Sequence, residues 1–161
     1  MSRDDFLKIF GGVYEHSQWI AEEIYANGLS AKLDGVDALQ LAMATRIELA
    51  GKDAQLILLR AHPDLAGKLA ISGELTDEST SEQASADLGN CTPEEFGAFQ
   101  SLNEQYKEKF GFPFILAVRG YHRTEILETF KARVDNDPAT EFNEAMTQVH
   151  KIALFRLNYI E

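Results

Sequence analysis

In the stretch AHPDLAGKLA, His62 stands directly before Pro63, with Asp64 next. A residue before proline is pushed out of the α region toward extended geometry, so His62 should sit where a helix stops and the chain turns, its ring projecting from a fixed point. Such a ring can act as a general base near neutral pH. It can equally satisfy the free carbonyls at the end of its own helix and gain from the helix dipole. A second element, STSEQ, supplies Ser79, Glu82 and Gln83. Here a carboxylate could orient or charge a histidine while the neighbouring amide binds a polar substrate. Ser79 and Glu82 also match the capping box, in which each side chain satisfies the other residue's backbone N–H. Taken alone, each of these elements is explained by capping.

Arg156, in KIALFRL, falls on an otherwise apolar helix with Ile152, Leu154, Phe155 and Leu157. Such an arginine usually snorkels to solvent or pairs with an acid. Facing a pocket, its planar fork suits a carboxylate or a ureido oxygen. Cys91 precedes a helix start, whose dipole would lower a thiol pKa, but Glu94 and Glu95 just beyond push the other way. A papain-like nucleophile is therefore not expected. His16, His122 and His150 form no metal-ligand spacing, and His62-Pro63-Asp64 is too short to make a metal site alone.

Helices must position these groups. EHSQWIAEEIYANGL places Trp19, Ile20, Ile24 and Tyr25 at helical spacing and stops at Asn27-Gly28. VDALQLAMATRIEL, with Asp37 as its cap, and DAQLILLRA, after Gly51, read as two more helices, the second largely buried. Residues 72 to 80, SGELTDEST, read as an exposed connection. Thr92 caps a helix with Pro93 at its first position and Glu95 three residues past the cap, ending at Gly111. FPFILAV is expected to be extended and buried. TEILETFKARV and a long helix from the Asp137-Pro138 cap complete an α-only pattern.

At 161 residues and 45% hydrophobic content the chain suits one domain, residues 1–161, with a real core. A formal charge of −11 and a pI near 4.8 offer no basic field for a phosphate backbone or an anionic membrane surface, so nucleic acid and membrane partners are not expected. The single cysteine rules out an internal disulfide and fits a reducing compartment. No signal peptide, membrane span or peroxisomal address is readable, which leaves the cytoplasm as the default.

Five segments, YEHSQW, AHPDLAGKLA, GELTDESTSEQASA, PEEFGAFQSLNEQYKEKFGFPFILAVRG and NDPATEFNEAMTQVHKIALFRL, together resemble the 2-oxo-4-hydroxy-4-carboxy-5-ureidoimidazoline (OHCU) decarboxylases of urate degradation. The resemblance covers essentially the whole chain. It implies an all-α, single-domain multi-helix bundle that converts an anionic ureidoimidazoline to (S)-allantoin and carbon dioxide without a cofactor or metal. It also implies that His62 is the catalytic histidine and Glu82 its carboxylate partner, raising the histidine pKa. Ser79, Gln83 and Arg156 would contact the substrate, with Pro63 and the backbone near Phe114 and Ile115 shaping the pocket. Lys68 and Arg119 are secondary cations. Family members are commonly homodimers. Two positions depart from the family pattern: Asp87 stands where a glycine is expected, and Gln18 where proline often precedes the tryptophan. Two other readings are a non-catalytic helical module binding a small ureido or carboxylate ligand, and a metal-dependent hydrolase built on His62 and Asp64.

Overall fold

A computed structural model describes residues 1–67 and 73–160, and these residues are helical or irregular, with no strand among them. The α-helices are α1 (Arg3–Phe10), α2 (Trp19–Ala26), α3 (Val36–Ala50), α4 (Lys52–Arg60), α5 (Asp77–Ser85), α6 (Pro93–Phe110), α7 (Arg123–Val134) and α8 (Pro138–Asn158). Short 3-10 turns occur at Ala31–Leu33 and Leu88–Asn90. The all-α class is as expected. Two compact units are distinguishable, one of residues 1–62 with 146–161, the other of residues 63–145, and α8 contributes a part to each.

In the first unit α1 packs on α2, α2 on α3 and α3 on α4. Ile20, Ile24, Met43, Ile47, Leu58 and Leu59 form its core, with Val149, Ala153 and Leu157 from a stripe at four-residue spacing along α8. Helix α1 is an element that the sequence reading passed over; Ser2 caps it by accepting from the Asp5 N–H. Helix α3 starts two residues earlier than an Asp37 cap would place it, with Gly35 at the cap and Asp37 inside the first turn. Helix α4 is less buried than expected, since only Gln55, Leu58 and Leu59 are inside and Ile57 faces solvent.

The second unit is built on aromatic rings. Phe99, Tyr106, Phe114 and Phe130 are all buried, and Phe114 lies 3.8 Å from Phe130 between ring centres. The expected capping box of α6 is present, with the Thr92 hydroxyl on the Glu95 N–H and the Glu95 carboxylate on the Thr92 N–H. Gly111 ends the helix at φ 77°, a left-handed conformation that glycine adopts without a Cβ penalty. Residues 112–118 belong to no helix and are buried throughout, as their apolar run predicts. Asp137 accepts from the Thr140 N–H at 3.0 Å and caps α8.

The segment 72–80 departs from expectation. Ser72 lies outside the described residues, and α5 already begins at Asp77. Its cap is Thr76, whose hydroxyl accepts from the Ser79 N–H.

Candidate active site

His62 follows directly on the C-cap of α4, where Pro63 prevents another helical turn. Its Nδ1 lies 2.9 Å from the Leu58 carbonyl. A carbonyl only accepts, so Nδ1 carries the hydrogen and Nε2 the lone pair. The two sequence readings are thus compatible: bonding a helix carbonyl through one nitrogen defines the other as the base. The expected direction of the pKa is corrected. Burial pushes it from 6.5 down to about 4, against the Leu58 carbonyl and the Glu15 carboxylate, which raise it, and Arg156 and His16, which lower it further. The ring is therefore neutral at pH 7.

Arg156 lies one helical turn from Ile152 on α8 and is buried like it. Its Nη2 is 2.7 Å from Glu15 Oε2, and its Nη1 donates to the Gly12 carbonyl at 3.2 Å. Pairing with an acid, the ordinary reading of a buried arginine, is what this unit shows. Glu15 was missed as a functional candidate, although it lies in the YEHSQW segment. The residue is only 2% exposed, while the neighbouring His16 takes a left-handed φ of 46° that is uncommon outside glycine. A histidine in the midst of that segment gives no local sign that the glutamate beside it turns inward.

In the second unit, Ser79, Glu82, Gln83 and Ala86 follow one another at helical spacing and are all buried. Ser79 and Glu82 do not form a capping box, because Ser79 is already in the third position of the helix. Capping thus no longer accounts for this polar face. Gln83 grips the turn after Pro63: its Oε1 accepts from the Ala66 N–H at 3.1 Å and its Nε2 donates to the Asp64 carbonyl at 3.2 Å. Asn103 and Gln100 donate to the carbonyls of Leu65 and Ala66, each at 3.0 Å. Three side-chain amides therefore hold three successive carbonyls of a turn in which Ala66 itself has φ 49°. Asp64 pairs with Lys107 at 2.7 Å. Among the described residues, no group of His, Cys, Asp and Glu side chains could hold a metal ion.

Phe114 and Ile115 lie within the buried 112–118 segment. The Ile115 carbonyl accepts from Arg133 Nη1 at 2.6 Å, and the Arg133 guanidinium lies over the Phe114 ring, 4.5 Å from its centre. Arg133 in turn forks onto the fully buried Glu141, which also accepts from the Tyr106 hydroxyl. Burial acts to raise the Glu141 pKa, but the bonds from Arg133 and Tyr106 hold it below the ordinary carboxylate value. Each member of this network looks like an ordinary surface polar residue in sequence.

The first unit therefore brings together His62, Arg156, Glu15 and His16, and the second holds Pro63, Ser79, Glu82, Gln83, Phe114 and Ile115. Lys68 lies outside the described residues, and Arg119 donates to Ser81 at 3.2 Å. Asp87 occupies a left-handed position at φ 59°, which explains why a glycine suits it, and its carboxylate engages Arg123 and Asn90. Gln18 has φ −54°, which proline would also adopt. The Cys91 thiol is pushed up by burial and by Glu95. No helix among the described residues is long and apolar enough to cross a membrane.

Comparison with known proteins places the chain in a family. The family model described as OHCU decarboxylase matches residues 1–158. The 2-oxo-4-hydroxy-4-carboxy-5-ureidoimidazoline decarboxylase of Haloferax volcanii is 44% identical over 96% of this chain and 88% of its own length. The Xenopus laevis protein of the same name is 33% identical over 98% of this chain and 88% of its own. The crystal structure of an (S)-allantoin synthase superposes with a TM-score of 0.76 at 36% identity, covering 98% of this chain, which spans 50% of that one. A crystal structure of OHCU decarboxylase in the presence of (S)-allantoin superposes at 0.70 and 24% identity over 90% of this chain and 92% of that one, a likeness of fold. From its first residue to Asn158, the chain belongs to the OHCU decarboxylase family.

Proposed function

We propose that this protein is a carboxy-lyase of urate breakdown, removing carbon dioxide from 2-oxo-4-hydroxy-4-carboxy-5-ureidoimidazoline to leave (S)-allantoin. The observation that carries the reading is the 44% identity, over nearly the whole chain, to a relative named for this decarboxylation. The match of residues 1–158 supports treating the chain as one functional domain.

The substrate carries a carboxylate and a hydroxyl on one ring carbon, beside a ring C=N bond. As the bond to the carboxylate breaks, its electron pair moves into that C=N, and carbon dioxide leaves. The hydroxyl proton passes to a base as the oxygen becomes a carbonyl, while the nitrogen of the former C=N and its carbon each take up one proton, a net uptake of one. His62 Nε2 is the base in this reading, supported by the neutral ring and the hydrogen on Nδ1. A pKa of about 4 makes a weak base. An anionic substrate held by Arg156 adds negative charge near the ring and raises its proton affinity when a proton must be taken.

The remaining roles follow the family pattern. Arg156 receives the substrate carboxylate, compensating locally for an acidic protein. Glu82 assists proton transfer, Ser79 and Gln83 bind polar substrate atoms, and Pro63 with the backbone at Phe114 and Ile115 shapes the pocket. Gln83 keeps a second hydrogen on Nε2 beyond the one given to Asp64. A cytoplasmic homodimer is the assembly that accompanies this reading, and light scattering of the purified protein measures that mass directly.

The deciding experiment generates the substrate in place from urate with urate oxidase and hydroxyisourate hydrolase, and follows allantoin by circular dichroism. Uncatalysed decay yields a racemate. Rapid growth of the S signal on adding the protein supports the reading, and a trace matching the protein-free control refutes it.

A further inference from the structure

Arg156 is placed on its helix by the apolar stripe, but nothing in that stripe dictates where the guanidinium points. A free arginine side chain has large rotamer entropy, which binding an anion would have to remove. The first unit removes it in advance. Both terminal nitrogens are engaged by one short segment, Nη2 by Glu15 at 2.7 Å and Nη1 by the Gly12 carbonyl at 3.2 Å.

That segment is shaped to present Glu15. His16 holds a left-handed backbone, a conformation that costs a residue with a side chain and persists only where its surroundings enforce it. The Ser17 hydroxyl closes the turn by donating to the Glu15 carbonyl at 2.9 Å. A buried ion pair is seldom more stabilising than apolar packing of the same volume, so stability alone does not explain the arrangement. We infer that Glu15 is a positioning residue that fixes the direction of the Arg156 guanidinium toward the substrate carboxylate. This inference rests on the decarboxylase reading and on Arg156 as the anion receptor.

Positioning and simple charge balance make opposite forecasts. A carboxylate beside an anion receptor repels the incoming anion, so removing its charge should tighten binding if charge is all that it contributes. If it aims the fork, removal should weaken binding. Glu15→Gln keeps the size and loses the ion pair with Arg156. The expected result is a KM raised about 10-fold, with kcat changed far less. Glu15→Asp keeps the charge but is one methylene too short to reach, and should also raise KM. In an Arg156→Lys background, Glu15→Gln should add nothing, because the fork that it aims is gone.

Thermal melting identifies variants that are folded at the assay temperature. Should Glu15→Gln melt below it, Glu15→Asp carries the test. An unchanged or lowered KM in the folded variant overturns the inference, as does a full additional effect in the Arg156→Lys background. If the parent protein itself makes no S-allantoin, the functional reading has failed; an active parent with an unaffected Glu15 variant fails the inference alone.

Discussion

The Thr76 hydroxyl accepts a hydrogen bond from the Ser79 N–H at 3.2 Å. That bond starts α5 at Asp77 and turns Ser79 from a cap into an interior residue of the helix, three and four positions ahead of Glu82 and Gln83. Three polar side chains thereby share one buried face.

Thr76→Ala should lower stability by about 1 kcal/mol, the usual value of an N-cap, while Thr76→Ser keeps the hydroxyl and most of the stability. Urea denaturation of both variants compares them. Equal midpoints for parent and Thr76→Ala would show that the helix starts elsewhere.

His62 links stability to pH with a definite sign. Its folded pKa of about 4 lies below the ordinary 6.5, so between these values the unfolded chain takes up a proton that the native state refuses. The group's contribution is intact above 6.5, is lost as pH falls toward 4, and amounts to at most about 3 kcal/mol. His62→Asn should flatten the dependence of the melting temperature on pH in this window and abolish turnover while the helical circular dichroism remains. The same slope in parent and variant would contradict the assigned direction.

Gln83 bonds both ways with the turn that follows His62-Pro63. Gln83→Ala leaves the Ala66 N–H and the Asp64 carbonyl without this partner and should cost about 1–3 kcal/mol. Because Asn103 holds the next carbonyl of the same turn, the losses from Gln83→Ala and Asn103→Ala should not add. A double-mutant cycle in urea reads the coupling, and strict additivity would mean that the amides act independently.

Arg133 and Glu141 form a buried pair that also holds the Ile115 carbonyl. Arg133→Met strands a fully buried carboxylate and should cost about 3–5 kcal/mol. Tyr106→Phe removes one bond to that carboxylate and should cost about 1.5–3 kcal/mol. Since Glu141 titrates below its ordinary value, its contribution is present at neutral pH and lost on acidification through the folded pKa. Denaturation midpoints rank the two variants, and the reverse order would show that the phenol matters more than the ion pair.

What sequence alone determined were features settled within a few residues. Thr92, Pro93, Glu95 and Gly111 bound α6, and Asp137-Pro138 starts α8, because a cap, a first-turn proline and a left-handed glycine act on backbone groups one turn away. His62-Pro63 marks the end of α4 for the same reason. The combination of His62, Ser79, Glu82, Gln83 and Arg156 was legible as a family pattern. Tertiary structure decided which of two local solutions holds where both fit. Thr76 and Ser79 are each acceptable caps, and burial of the face carrying Ser79, Glu82 and Gln83 selects Thr76. It also decided every pairing between distant residues. Glu15 finds Arg156 near the other end of the chain, and Arg133 ties Glu141 to the Ile115 carbonyl, through contacts that no local pattern encodes. The pKa of His62 belongs to the same class, because desolvation depends on everything packed around the ring and not on its sequence neighbours.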